Sequence, residues 1–166
     1  MEDYLIMPSD CSQDRFVVDT LNQHKNGFWV ELGCQGPIQS SNTHILEVDH
    51  GWRGLSIDIS QPHIDLWEGV RNTEHLVCAD AITLDYSLSL DLEPPSITLE
   101  ALYKLPFDKY KFRVITFEHD EYRGTGTKEP SREFLLSLGY SLVDPATVNS
   151  FHINLSNAED WYLLNV

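Results

Sequence analysis

The chain has 166 residues, 42% hydrophobic and 22% charged, ordinary proportions for a globular domain with a substantial core. Twenty-six acidic residues against eleven basic ones give a formal charge of −15, a field that repels phosphate backbones and anionic lipid surfaces. Nucleic acid and membranes are therefore excluded as expected partners, and no apolar run nears the roughly eighteen residues of a membrane span.

The opening Met1-Glu2-Asp3-Tyr4 is acidic, unlike a secretory signal, so a cytoplasmic chain is expected. Cys11, Cys34 and Cys78 are too widely spaced for a disulfide framework or a zinc pattern, and reduced thiols are the expectation. Lys104, Lys109, Lys111 and Arg113 form the one basic cluster; acidic residues interrupt it, and it reads as a solvated helix end and loop.

In chain order, residues 12–24 form a first helix with Phe16, Val17, Thr20 and Leu21 on one face; residues 1–26 make an N-terminal helical segment. Phe28-Trp29-Val30-Glu31-Leu32 is a first strand ending in Gly33. A helix over residues 42–50 follows, capped by Ser41 or Asn42 and stopped at Gly51. Residues 54–59 are a second strand, 62–70 a helix entered through Pro62, and 75–79 a third strand ending at Asp80.

Residues 86–90 alternate with a period of two and give a fourth strand ending at Asp91. Thr98 to Leu105 is a short helix stopped at Pro106, and residues 112–117 a fifth strand running into Glu118-His119-Asp120-Glu121. A helix over 131–138 closes at Gly139, a sixth strand covers 140–143, and residues 161–166 supply a seventh. Strands alternating with helices predict one α/β domain over residues 1–166, with its Rossmann-like, mostly parallel sheet in residues 27–166 and helices on both faces.

In such a sheet ligands sit beyond the carboxyl ends of the strands. The first five strands end in Glu31 with the turn to Gly36, then Asp58, Asp80, Asp91 and Glu118, which brings a carboxylate to that edge each time. A dinucleotide site wants Gly-x-Gly-x-x-Gly and a welcome for pyrophosphate. Here Gly33 and Gly36 stand amid acids, which suits a cofactor without phosphates that carries a cationic sulfonium, S-adenosylmethionine. Asp58, 25 residues after Gly33, is placed to accept hydrogen bonds from ribose hydroxyls, and Asp80 with Ala81 to face the adenine. Ser41, Asn42 and Thr43 are helix-capping types that also face the methionine end. Cys34 has no base partner in sequence and reads as a small residue in a tight turn. The four tryptophans read as core.

Asp91 and Glu93, with Glu118, His119 and Asp120, form the most unusual cluster, on strands about 4.8 Å apart. Two chemistries stay open. Asp91, Glu118, His119 and Asp120 are candidate ligands of a divalent cation such as Mg2+, which would orient a substrate hydroxyl and lower its pKa, as in cation-dependent O-methyltransferases. Alternatively His119 or a carboxylate is the general base. Asp91, Glu118 and His119 are the candidate catalytic residues.

Phe28-Trp-Val-Glu-Leu-Gly-Cys-Gln-Gly36, Ser41-Asn42-Thr43-His-Ile-Leu46-Glu47 and Gly51-Trp52-Arg-Gly54 resemble the FkbM-type S-adenosylmethionine-dependent methyltransferases. Leu88-Ser-Leu-Asp91-Leu-Glu93, the run from Val114 to Asp120 and the closing Glu159-Asp160-Trp161 are similar to shorter, microbial or phage-type members. The resemblance implies a class I methyltransferase fold, strand order 3-2-1-4-5-7-6 with strand seven antiparallel, and methyl transfer to the oxygen of a small molecule or glycan. It implies that Glu31, Gly33, Cys34, Gly36, Ser41 and Asn42 surround the amino-acid part of the cofactor, Asp58 and Ile59 the ribose side, Asp80 and Ala81 the adenine. Asp91 would lie beside the transferred methyl. Pro94-Pro95 stands where the family has glycine, and Gln35 and Pro37 depart from its usual first loop. A nucleotide-dependent enzyme and a non-catalytic cofactor-binding or interaction module are the rival readings; the oligomeric state stays open, a homodimer included.

Overall fold

The computed structural model describes residue 9 and residues 11–72, 76–84, 99–143 and 158–165. The chain divides into two compact units, Met1–Ser96 and Ile97–Val166.

The first unit holds α1 (Gln13–Thr20), β1 (Phe28–Leu32), α2 (His44–Val48), β2 (Arg53–Asp58), α3 (Gln61–Asp65) and β3 (Leu76–Cys78). Its strands form a parallel sheet in the order β1-β2-β3, with Trp29 opposite Gly54, Glu31 opposite Ser56, and Asp58 opposite Cys78. Side chains alternate across a strand, so Trp29 and Glu31 of β1 share a face with Gly54, Ser56 and Asp58 of β2. The Trp29 ring occupies the space a side chain at Gly54 would need. Trp29, Leu46 and Trp52 form a core cluster with Val17, Val18 and Leu21 of the α1 region against it.

The second unit holds α4 (Leu99–Lys104), β4 (Val114–Glu118), a 3-10 turn over Glu121–Arg123, α5 (Lys128–Ser137), β5 (Tyr140–Val143) and β6 (Glu159–Leu164). Strand β6 lies between β4 and β5, antiparallel to both. Leu102, Phe107, Phe117, Leu135, Tyr140 and Tyr162 make the core, and Phe107 meets the rings of Phe112, Phe134 and Tyr140 edge-on. Gly139, at φ +89°, turns the chain from α5 into β5, a conformation that costs glycine little.

The expected seven-stranded, mostly parallel Rossmann-like sheet is thus corrected. Among the described residues six strands form two three-stranded sheets, one parallel and one antiparallel. Alternating apolar patterns mark strands without naming their partners. The antiparallel entry of β6 between β4 and β5 has the place the resemblance implies for the last strand; the correction is that, among the described residues, no strand pairing joins this sheet to the parallel one. The expected fourth strand, residues 86–90, lies outside the described residues.

Candidate functional site

The loop after β1 is built against the end of β2. The Gly33 and Cys34 amides donate to the carbonyl oxygen of Ile57 at 2.7 and 3.1 Å. Gly33 adopts φ +72° and Gln35 +45°, which reverses the chain at the strand end. The Gln35 amide then donates to Asp58 Oδ2 at 2.9 Å, and its carbonyl accepts the Trp67 indole N–H at 2.9 Å. Asp58 is 5% exposed; its Oδ1 accepts the Ser60 amide at 2.8 Å and lies 3.1 Å from Nδ1 of the half-exposed His63. A carboxylate oxygen accepts about two hydrogen bonds, so the loop and Ser60 leave Asp58 with acceptor capacity.

Glu31 sits beneath the loop rather than in it. Its carboxylate accepts the Thr43 hydroxyl at 2.7 Å, the Ser56 hydroxyl at 3.2 Å and the Asn42 amide at 3.2 Å. Burial pushes its pKa up, against the hydrogen bonds and the nearby Arg71 guanidinium, which pull it down. Ser41 is fully buried, and its hydroxyl takes part in the same network, where capping was expected; α2 begins at His44, after Thr43, with no side-chain cap.

Arg71 closes this network. Its Nε donates to Glu47 at 2.7 Å, and its Nη atoms donate to the Pro37 carbonyl and the Ser41 and Thr43 hydroxyls at 3.2, 2.9 and 3.1 Å. The guanidinium lies 4.3 Å from the Trp67 ring centroid and 5.5 Å from that of Trp29.

Cys34 is buried, and its thiol pKa is driven up by burial and by the charges of Glu31 and Asp58, which leaves it an inert part of the turn. Ile59 is exposed beside Asp58. The Ala79 amide donates to the Asp58 carbonyl, which sets buried Asp80 and Ala81 at the neighbouring strand end; Asp80 Oδ1 accepts the Ile82 amide in a local turn. The structure therefore groups Glu31, Gly33, Cys34, Gly36, Ser41, Asn42, Asp58, Ile59, Asp80 and Ala81 at the carboxyl edge of one sheet.

Glu118, His119 and Asp120 lie in the second unit, and Asp91 lies outside the described residues. Glu118 is exposed at the end of β4, while His119 is 1% exposed. Its Nδ1 accepts the Glu121 amide at 3.2 Å, so the neutral ring carries its proton on Nε2, 3.7 Å from Asp160 Oδ2. Burial lowers its pKa, opposed by the Asp160 charge. Asp160 is held by the Arg132 fork at 2.7 and 2.8 Å and accepts the Tyr162 hydroxyl at 3.3 Å. Asp120, at φ +48°, lies 3.3 Å from Arg123 Nη1. Among the described residues no group of three or more His, Cys, Asp or Glu side chains is arranged to hold a metal ion.

Sequence reasoning passed over Arg71 and His63, and named Glu47 only within the block that carries the resemblance. Arg71 is one of eleven basic residues in an acidic chain, and that rarity was the one available signal. No protein-family model matches the chain, and no curated protein matches it. No helix among the described residues is long and apolar enough to cross a membrane.

Proposed function

We propose that the first unit binds S-adenosylmethionine at the carboxyl edge of β1, β2 and β3, and that the chain serves methyl transfer to a hydroxyl oxygen of a small molecule or glycan. The observation that carries this reading is Asp58. One of its oxygens fixes the loop after β1 through the Gln35 amide, and its remaining acceptor capacity suits the paired hydroxyls of a ribose.

Charge supports the same occupant. Asp58 ends β2 and Asp80 lies two residues beyond β3, and the Arg71 side chain is 1% exposed and paired with Glu47 behind the loop. A pyrophosphate would meet acidic groups with this guanidinium out of reach, whereas a cationic ligand would be attracted. Bound S-adenosylmethionine would supply an electrophilic methyl group on a positively charged sulfur. The chain's own part is to orient the ligand and to receive the hydroxyl proton.

Calorimetric titration with S-adenosylmethionine, its demethylated product and NAD, each with and without magnesium, tests the reading. Binding of the first two but not NAD is expected. Binding of NAD without S-adenosylmethionine would overturn it, and magnesium-independent methyl transfer would remove Glu118, His119 and Asp120 as metal ligands.

A further inference from the structure

We infer that Arg71 is the positioning residue of the loop after β1, holding residues 35–43 in the shape that receives the ligand from behind, without touching it. The inference rests on the reading of that loop as the S-adenosylmethionine site.

The guanidinium reaches the loop at Pro37, Ser41 and Thr43 and reaches α2 at Glu47, while its stem belongs to the segment after α3. An ion pair with Glu47 alone would be satisfied by any cation. Donors to four acceptors on separate stretches of chain require a flat fork with fixed directions, which lysine lacks. The guanidinium lies over the Trp67 ring at 4.3 Å from its centroid, and Trp67 itself holds the Gln35 carbonyl. Asn72, the next residue, donates its amide to the second oxygen of Glu47 at 3.1 Å. One short segment, Trp67 to Asn72, thus fastens the loop at Gln35, Pro37, Ser41 and Thr43 and ties it to α2.

The Thr43 hydroxyl that Arg71 contacts is also the closest partner of Glu31, at 2.7 Å. The loop, the buried carboxylate and the guanidinium therefore belong to one hydrogen-bonded network.

The test uses the full chain with Arg71→Lys and Arg71→Met, the lysine variant keeping the charge should the methionine variant fail to fold. Amide hydrogen exchange without ligand is compared between residues 35–42 and residues 55–58 of β2, and affinity for S-adenosylhomocysteine is measured by calorimetry. Both variants are expected to speed exchange selectively in the loop and to weaken binding at least about tenfold, with β2 little changed. In Arg71→Ala, millimolar methylguanidinium is expected to restore loop protection and part of the affinity. Exchange that rises equally in loop and β2, or a loop that does not respond, would overturn the inference. Selective loop loosening in a protein whose wild type does not bind S-adenosylhomocysteine would support the positioning role and overturn the cofactor reading.

Discussion

Replacing Gly54 by alanine probes the face of the first sheet on which the site is built. A Cβ there would stand 2.3 Å from Cγ and Cδ2 of Trp29. Carbon atoms in contact sit about 3.5–4.0 Å apart, so the indole must retreat by more than about 1 Å. Trp29 is 9% exposed, its Nε1 donates to Ser56 Oγ at 3.0 Å, and that hydroxyl donates to Glu31. Overpacking of this kind costs about 1–3 kcal/mol, and a stretched buried hydrogen bond adds about 0.5–1.5 kcal/mol. A loss of about 2–4 kcal/mol is therefore expected. Urea unfolding followed by tryptophan emission measures it as a lower midpoint at unchanged slope. Trp29→Phe in the same background, with a smaller ring, is expected to recover part of the loss. A change within about 0.5 kcal/mol, the range of an ordinary surface substitution, would refute the seating of Trp29 on Gly54.

Asp58→Asn keeps the size of the side chain but removes the charge; hydrogen bonds to charged groups contribute about 1.5–3 kcal/mol, so S-adenosylmethionine should bind about 10–100-fold more weakly. Unchanged affinity would remove Asp58 from the site. In the second unit, Asp160→Asn strips the Arg132 fork of its carboxylate. Breaking a buried pair costs about 3–5 kcal/mol; Arg132 is 25% exposed, so about 2–3 kcal/mol is expected, and a double-mutant cycle with Arg132→Met isolates the coupling. His119 is buried in its neutral form with a lowered pKa, so the stability it contributes is present above its unfolded value of about 6.5 and is lost as pH falls through the lower folded value. His119→Gln should flatten the pH dependence of unfolding over that interval, and parallel profiles for the two proteins would contradict this.

Local pattern carried the strands well. Phe28–Leu32 and Tyr140–Val143 lie where the apolar runs put them, and β2, β3, β4 and β6 differ by one or two residues at their ends. The helices are shorter than expected where the apolar stripe outlasts the hydrogen bonding: α3 stops at Asp65, and turns carry the chain on to Val70. The fifth helix begins earlier than expected, at Lys128, because Pro130 falls in its first turn, where no amide partner is needed. Pairing was not legible from local pattern. Nothing in the spacing of residues 159–164 says that this strand enters between two others; that placement was implied only by the family resemblance, whose single seven-stranded sheet gives way to two three-stranded ones among the described residues.

The site divides the same way. Glycines and carboxylates at strand ends are read from the strands themselves, so Gly33, Asp58 and Asp80 could be placed. Arg71 reaches Ser41 across 30 positions and Arg132 reaches Asp160 across 28, contacts that no local motif encodes. Glu31 was expected at the ligand, yet its buried partners make it a brace beneath the loop.

Amide chemical-shift mapping with S-adenosylhomocysteine on the full chain tests the central claim most directly. Shifts concentrated at Gly33 to Gly36, Asp58, Ile59, Asp80 and Ala81, absent with NAD, are predicted. Saturable shifts elsewhere that leave those amides unmoved, or the same set moved by NAD alone, would contradict it.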